Sequence, residues 1–148
     1  MSDPRTAPYA AVRLVDVARL ADVDPGNEDV TDGAFHLVRR HFDVQAFGVN
    51  GITGNTGEVM IIEHDERDDT EAGTEGHEEL FAVMSGHAVF MIAGEEIEAP
   101  AGTLVFVRDP KLLRFARATA DGTAILAVGA RPGAPFAVSR WEQAVRSA

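Results

Sequence analysis

The sequence predicts an all-β fold of the sandwich or small-barrel type. Three features carry that reading. From residue 34 onward, apolar runs of about 5–8 residues recur, each closed by a Gly, Asp or Pro turn signal. Val, Ile and Phe are abundant in these runs, as they are in strands. Helical periodicity is almost absent before the C-terminus.

The elements follow in order. Residues 1–10 hold two prolines and little apolar content and read as a flexible N-terminal arm; residues 11–148 read as one folded domain. AVRLVDVARL (11–20) suits an edge strand or a short helical turn, and an edge strand is favoured. ADVDPGNEDVTDGA (21–34) is a polar loop. FHLVRRHFDVQAFGVNGI (35–52) holds one long strand or two short ones, and the Gly-rich stretch 51–58 reads as a hairpin loop. Further strands are expected over 58–64, 77–86, 87–100, 102–109, 112–118 and 122–130. SGH (85–87), AGEE (93–96) and DGT (121–123) have the composition of hairpin turns. Ser139 is a fair N-cap for a C-terminal helix, with Glu142 three positions on, as in a capping box. Phe136 and Trp141 are expected to pack that helix onto the barrel or a neighbouring subunit.

Composition narrows the chemistry. The 24 acidic residues outnumber the 13 basic ones, a net charge of −11, which disfavours nucleic acid and anionic membrane surfaces as partners. With no cysteine there are no disulfides, thiolate metal sites or thiol nucleophiles. No apolar run reaches the ~18 residues of a membrane span, and the first residues lack a signal-peptide pattern; a cytoplasmic location is expected. No dinucleotide fingerprint, phosphate loop or serine-nucleophile elbow is present.

Any metal site must therefore use the five histidines with Asp or Glu. His77 and Glu79, two apart on one strand, share a face. If 58–64 pairs with 77–84, His64 joins them as a two-His, one-carboxylate set. Alternatively His77 is a polar residue at a strand entrance and Glu79 is solvated. The acidic run 63–79, nine acids to one Arg, is either a hard-cation site or a self-repelling surface loop, and the latter is favoured. His36, His41 and His87 read as surface residues. Arg108, Lys111, Arg114 and Arg117 are expected near the pocket-side strand ends. There Arg108 and Arg114 are candidates for a ligand anion, beside Phe81 as a pocket-lining ring.

The run GHEELFAVMSGHAVFMIAGEEIEAPAGTLVFV (76–107) resembles a cupin. Glu79, six residues and Gly86 match the end of the first cupin motif; the AGEE turn, Pro100-Ala101-Gly102 and the TLVFV strand follow in cupin order. The wider chain, with FGVNG, APAGTLVFVRD and ILAVGARPG, resembles small single-domain cupins. The resemblance implies a double-stranded β-helix (jelly-roll) barrel around a pocket, with a short C-terminal helix. It also implies a four-ligand metal site, and here the sequence departs from the pattern. The two His positions of the first motif hold Gly73 and Glu75, or Ala72 and Thr74. The His of the second falls on Leu113 or Val105, neither of which coordinates a metal.

Three functions are thus weighed, the last a chiefly structural protein whose acidic loop mediates self-association or partner contact. The favoured one is a binding module that holds a small polar or acidic ligand in the barrel without a metal. The alternative is an enzyme of dioxygenase, isomerase or lyase type. It would use a divalent ion (Fe, Mn, Ni or Zn) on His64, His77 and Glu79, or His77 and Glu79 as a metal-free acid–base pair. His87 or a water is a further candidate ligand. Pairing of open strand edges makes a homodimer the expected assembly, with 8–20 as a segment that crosses to the partner.

Overall fold

The chain rolls up as one long hairpin folded over itself. In the computed structural model, which describes residues 2–26, 33–67, 76–143 and 145, nine strands form: β1 Ala34–His36, β2 Gly48–Gly54, β3 Val59–His64, β4 Glu78–Ser85, β5 His87–Ile92, β6 Glu95–Pro100, β7 Leu104–Val107, β8 Arg114–Ala118 and β9 Thr123–Ala130. β2 pairs with β9, β3 with β8, β4 with β7 and β5 with β6, all antiparallel. This nesting is the jelly-roll pattern. It deals the strands into a five-stranded sheet, β1-β2-β9-β4-β7, and a four-stranded sheet, β3-β8-β5-β6. The chain crosses between sheets after β2, β3, β4, β6, β7 and β8.

Two expectations about connections change. Residues 51–58, SGH and DGT carry the chain from one sheet to the other, so they are not hairpin turns. AGEE is a true hairpin: Ala93 and Gly94 both take positive φ (50° and 83°), the geometry whose twist matches two antiparallel strands. Nor does either sheet close on itself, so the expected closed barrel is here a pair of open sheets. Register shifts after Val59 and Ile61 break the β3–β8 ladder, and such irregularities turn an edge strand away from its neighbours.

The core fills the space between the sheets because inward side chains alternate with outward ones. Phe81 and Phe90 meet at its centre with ring centroids 5.4 Å apart. Ile52, Met60, Val83, Val107 and Ile125 pack around them.

Before β2 the chain is less strand-like than expected. Leu14–Asp16 is a 3-10 turn and Leu20–Val23 a short helix, α1, where an edge strand was expected. Val17 and Leu20 are buried and Leu14 lies against Gly51; this spacing of three suits a helical turn and not the alternation of a strand. Between β1 and β2 a helix, α2 (Val38–Phe42), replaces continuous strand and ends at Asp43 in the left-handed region. His36 is buried, not on the surface: its ring nitrogens lie 2.9 Å from the Val17 carbonyl and 3.0 Å from the Thr53 hydroxyl. The C-terminal helix α3 spans Arg140–Gln143. Trp141 stands edge-on to Phe35, with ring centroids 5.4 Å apart. Glu142 is buried with its carboxylate on the guanidinium of buried Arg39. Residues 27–32 of the polar loop and 68–75 of the acidic run lie outside the described residues.

Candidate functional site

A cavity of about 360 Å³ opens between the sheets. Pairing register explains the space. On the inner face of the five-stranded sheet, Glu79 lies beside Gly129, and Gly129 beside Gly48. The next inner row is Phe81, Ala127 and Asn50. Two glycines and an alanine thus leave a shallow floor where larger side chains would fill the core. A Cβ on Gly129 would lie 2.9 Å from the Glu78 carbonyl oxygen, and one on Gly48 3.6 Å from the Phe136 ring. The remaining lining is largely apolar and aromatic, with Phe35, Met60, Phe136 and Trp141, and also holds Ser139 and Glu142.

One end of the cavity is polar and joins the two sheets. His64, at the end of β3, donates through Nε2 to Glu66 Oε1 at 2.8 Å. Its Nδ1 lies 2.7 Å from the Ile62 carbonyl, which fixes that nitrogen as a donor. Glu79 reaches across from β4, and ligand atoms of His64, Glu66 and Glu79 all fall within 4.8 Å of one another. Arg114, opposite His64 on β8, is fully buried and donates from Nη1 to Glu79 Oε1 at 3.0 Å. Its Nε and Nη2 both face the Leu112 carbonyl, at 3.3 and 3.0 Å.

The electrostatics follow from this crowding. Burial, followed by the Glu66 charge, pushes the Glu79 carboxyl up to about 7 against the pull of Arg114 and His64. Burial alone lowers the His64 imidazole, but the hydrogen bond and charge of Glu66, with Ile62 and Glu79, raise it to about 9. His77 is lowered, chiefly by burial and also by Arg131, with Glu66 opposing.

The residues singled out in the sequence divide as follows. His64 and Glu79 meet, although β3 and β4 do not pair; they face each other from different sheets. His77 lines the cavity just before β4, yet its ring nitrogens are not part of the cluster; its ring centroid lies 6.3 Å from that of Phe136. The third member is Glu66, buried, from the acidic run read as surface loop. Phe81 lies on the cavity floor. Arg108 is exposed, its guanidinium 4.9 Å above the Phe106 ring, because inward-facing Val107 precedes it. Arg117 and Lys111 are likewise exposed, so of the four basic residues only Arg114 borders the cluster. His87 sits at the far end of β5 from Ile92, the residue paired with Arg114, and hydrogen-bonds Thr119. Asn50, Gly48 and Gly129 lie in FGVNG and ILAVGARPG, segments that carried the cupin resemblance but were given no site role; inward-facing small and polar residues within an alternating strand were the signal available.

The donor set is chemically suited to one small divalent ion: one imidazole and two carboxylates, with coordination positions left open. Holding Nδ1 on a backbone carbonyl is also how ligating histidines are oriented.

A family model described as the AraC-like ligand binding domain matches residues 55–148, well over half the chain. This chain belongs to that family. The AraC-like domain has the cupin fold, as solved structures show. A cupin protein from Bacteroides fragilis is 18% identical, with TM-score 0.55, over 82% of this chain and 92% of that one. An RmlC-like cupin protein from Desulfovibrio desulfuricans is 18% identical, with TM-score 0.55, over 80% and 94%. A cupin-superfamily sugar phosphate isomerase from Silicibacter pomeroyi is 18% identical, with TM-score 0.55, over 82% and 76%. No curated protein matches the sequence. Against the four-ligand pattern that the cupin resemblance implies, the AraC-like domain carries a three-residue His/Glu/Glu cluster, with Arg114 beside it. Among the described residues, no helix is long and apolar enough to cross a membrane.

Proposed function

We propose that residues 11–148 act as a single binding module that holds a small hydroxylated molecule between the sheets, with residues 1–10 as an arm. The observation that carries this is the pairing of an acceptor-rich end with an aromatic enclosure. Glu66 and Glu79 present carboxylates at one end of the cavity, while the rings of Phe35, Phe136 and Trp141 stand in the rest of its lining. A ligand with O–H donors on its edge and hydrocarbon on its face suits both. About 360 Å³ is the size of a small-molecule pocket. The family's description as ligand-binding agrees with this reading. An acidic ligand is disfavoured, because Arg114 already pairs with the Glu79 carboxylate and donates to the Leu112 carbonyl, and because His64 already faces Glu66. Arg108, exposed on Phe106, is assigned no part in binding.

The donor set supports a second reading, a metal-dependent enzyme. His64, Glu66 and Glu79 would hold the ion, with His77 and Glu79 as the nearby acid–base groups. A bound divalent ion would supply polarisation of a ligand oxygen. Against it stands the buried guanidinium of Arg114, a fixed positive charge 3.0 Å from one of the donor carboxylates.

Thermal melting separates these readings. Six-membered-ring polyols such as myo-inositol, glucose and xylose are expected to raise the melting temperature. Ligand at 100 times its Kd adds about 2.7 kcal/mol. Succinate and malate are expected to leave it unchanged, and Glu66→Ala or Glu79→Ala to abolish the polyol effect. Stabilisation by the acids alone would contradict the proposal. One equivalent of Fe, Mn, Ni or Zn in tag-free protein, lost in His64→Ala, would favour the enzyme.

We also propose a homodimer through β7. This edge strand exposes Leu104 (66%) and Phe106 (45%) beside an unpaired backbone edge, which a second copy covers.

A further inference from the structure

We infer that the outer face of the five-stranded sheet is an interface with a second copy of this chain, in which the N-terminal turn of each copy lies over β4 and β7 of the other. The inference rests on the dimer proposed above and moves its main contact from the edge of β7 to the face of the sheet.

An antiparallel sheet with one wet side turns apolar residues toward the core and polar ones toward water. Here the outward positions are apolar as well. Pairing sets Val49, Val128, Leu80 and Phe106 in one outward row across β2, β9, β4 and β7. The next outward row is Gly51, Leu126, Ala82 and Leu104. Neither row holds a charged or polar side chain. Glu78 bounds the rows at one end, beside Ala130; Thr53 and Ser85 bound them at the other, on either side of Ala124. An apolar centre within a polar rim is the anatomy of a protein interface.

The chain covers one side of this face itself. Leu14, in the 3-10 turn, lies so close over Gly51 that a Cβ there would come within 2.3 Å of it, and Val49 on the same strand is only 7% exposed. At the other side of the sheet Leu104 and Phe106 are exposed. The turn is therefore a ridge over β2, with a trough over β4 and β7 beside it. The ridge also carries apolar groups on its outer side, with Val15 57% and Tyr9 87% exposed.

A ridge and a trough on one face make that face complementary to itself. A two-fold axis between β9 and β4, the middle of the β2-β9-β4-β7 order, sets each ridge into the other copy's trough. Each contact is then made twice, as in an isologous dimer. Charge favours the same occupant. Each copy carries −11, which opposes association, and the two outward rows let copies meet without like charges facing each other there.

Val15→Lys and Leu126→Lys test this in the full chain, by sedimentation equilibrium with melting as the check on folding. Neither residue is at the β7 edge: Val15 is on the ridge and Leu126 on β9, two strands away. Each is expected to weaken the dimer a hundredfold or more. Phe106→Glu is expected to do the same. Combining Val15→Lys with Phe106→Glu is expected to recover at least tenfold, because each lysine then meets the other copy's glutamate. Val15 is exposed in the single copy, so its variant keeps the test open if Leu126→Lys does not fold. Wild-type dimer affinity in Val15→Lys overturns the face contact; if Leu104→Lys with Phe106→Lys still breaks that dimer, pairing through the β7 edge stands. Absence of any recovery in the combined variant overturns the ridge-in-trough arrangement. A wild-type monomer at micromolar concentration overturns the dimer and this contact together.

Discussion

His64 shows how a single side chain reports the state of the cluster. Its Nδ1 faces the Ile62 carbonyl and its Nε2 faces Glu66, so both ring nitrogens can donate when the ring is charged. Its folded value of about 9 lies above the ordinary 6.5. A raised value means the folded state holds the proton more tightly. The stabilisation is complete below 6.5 and is lost as pH rises through 9. In protein dialysed against a chelator, the melting temperature is expected to fall between pH 7 and 9.5. His64→Gln is expected to flatten that limb; an unchanged limb would show that another group sets it. The window avoids the region below 7, where Glu79, raised by burial, and His77, lowered by burial, work in opposite directions. Of this cluster, His64 and Glu79 were legible in the sequence as residue types with metal-ligand chemistry. Glu66 was not: nine acids share its segment, and only the fold brings Glu66 to His64 and Glu79.

At the scale of elements, the central strands were the most legible part. β4 through β9 follow apolar alternation bounded by Gly and Asp, and the boundaries fall within about two residues of those read from sequence. The N-terminal third was not legible, because tertiary contacts decide it. α2 forms in a segment with strand-like composition, and Arg39 on it is buried with its guanidinium on Glu142, 103 residues later, and on the local Val44 carbonyl. That pair and the Phe35–Trp141 contact hold α3 over the cavity, which both Trp141 and Glu142 line. Glu142→Ala leaves a buried guanidinium short of its carboxylate and is expected to cost about 3 kcal/mol, read by urea unfolding. Arg39→Met with Glu142→Leu is expected to recover most of that loss. A loss below about 0.5 kcal/mol in Glu142→Ala, the scale of a surface pair, would show that α3 is held by packing alone.

At the scale of the whole molecule, nested pairing brings the ends of β2, β4 and β9 to one side of the cavity and β3 and β8 to the other. The cluster is therefore an inter-sheet site: Glu79 from one layer, His64 and Arg114 from the other. Any ligand held there ties the sheets together, and stabilisation on binding is the expected consequence. The outer face is chemically different, with Leu104 and Phe106 exposed on β7. Leu104→Lys with Phe106→Lys is expected to convert a dimer to a monomer by light scattering while polyol binding persists. A wild-type monomer at micromolar concentration would contradict the assembly. The measurement that bears most directly on the account is a map of backbone amide shifts during titration with the polyol that stabilises the protein most. The inner-cavity reading predicts perturbations grouped at residues 48–50, 64–66, 77–81, 127–129 and 136–142. Perturbations confined to β7 and its outer neighbours, or none at saturating polyol, would contradict it.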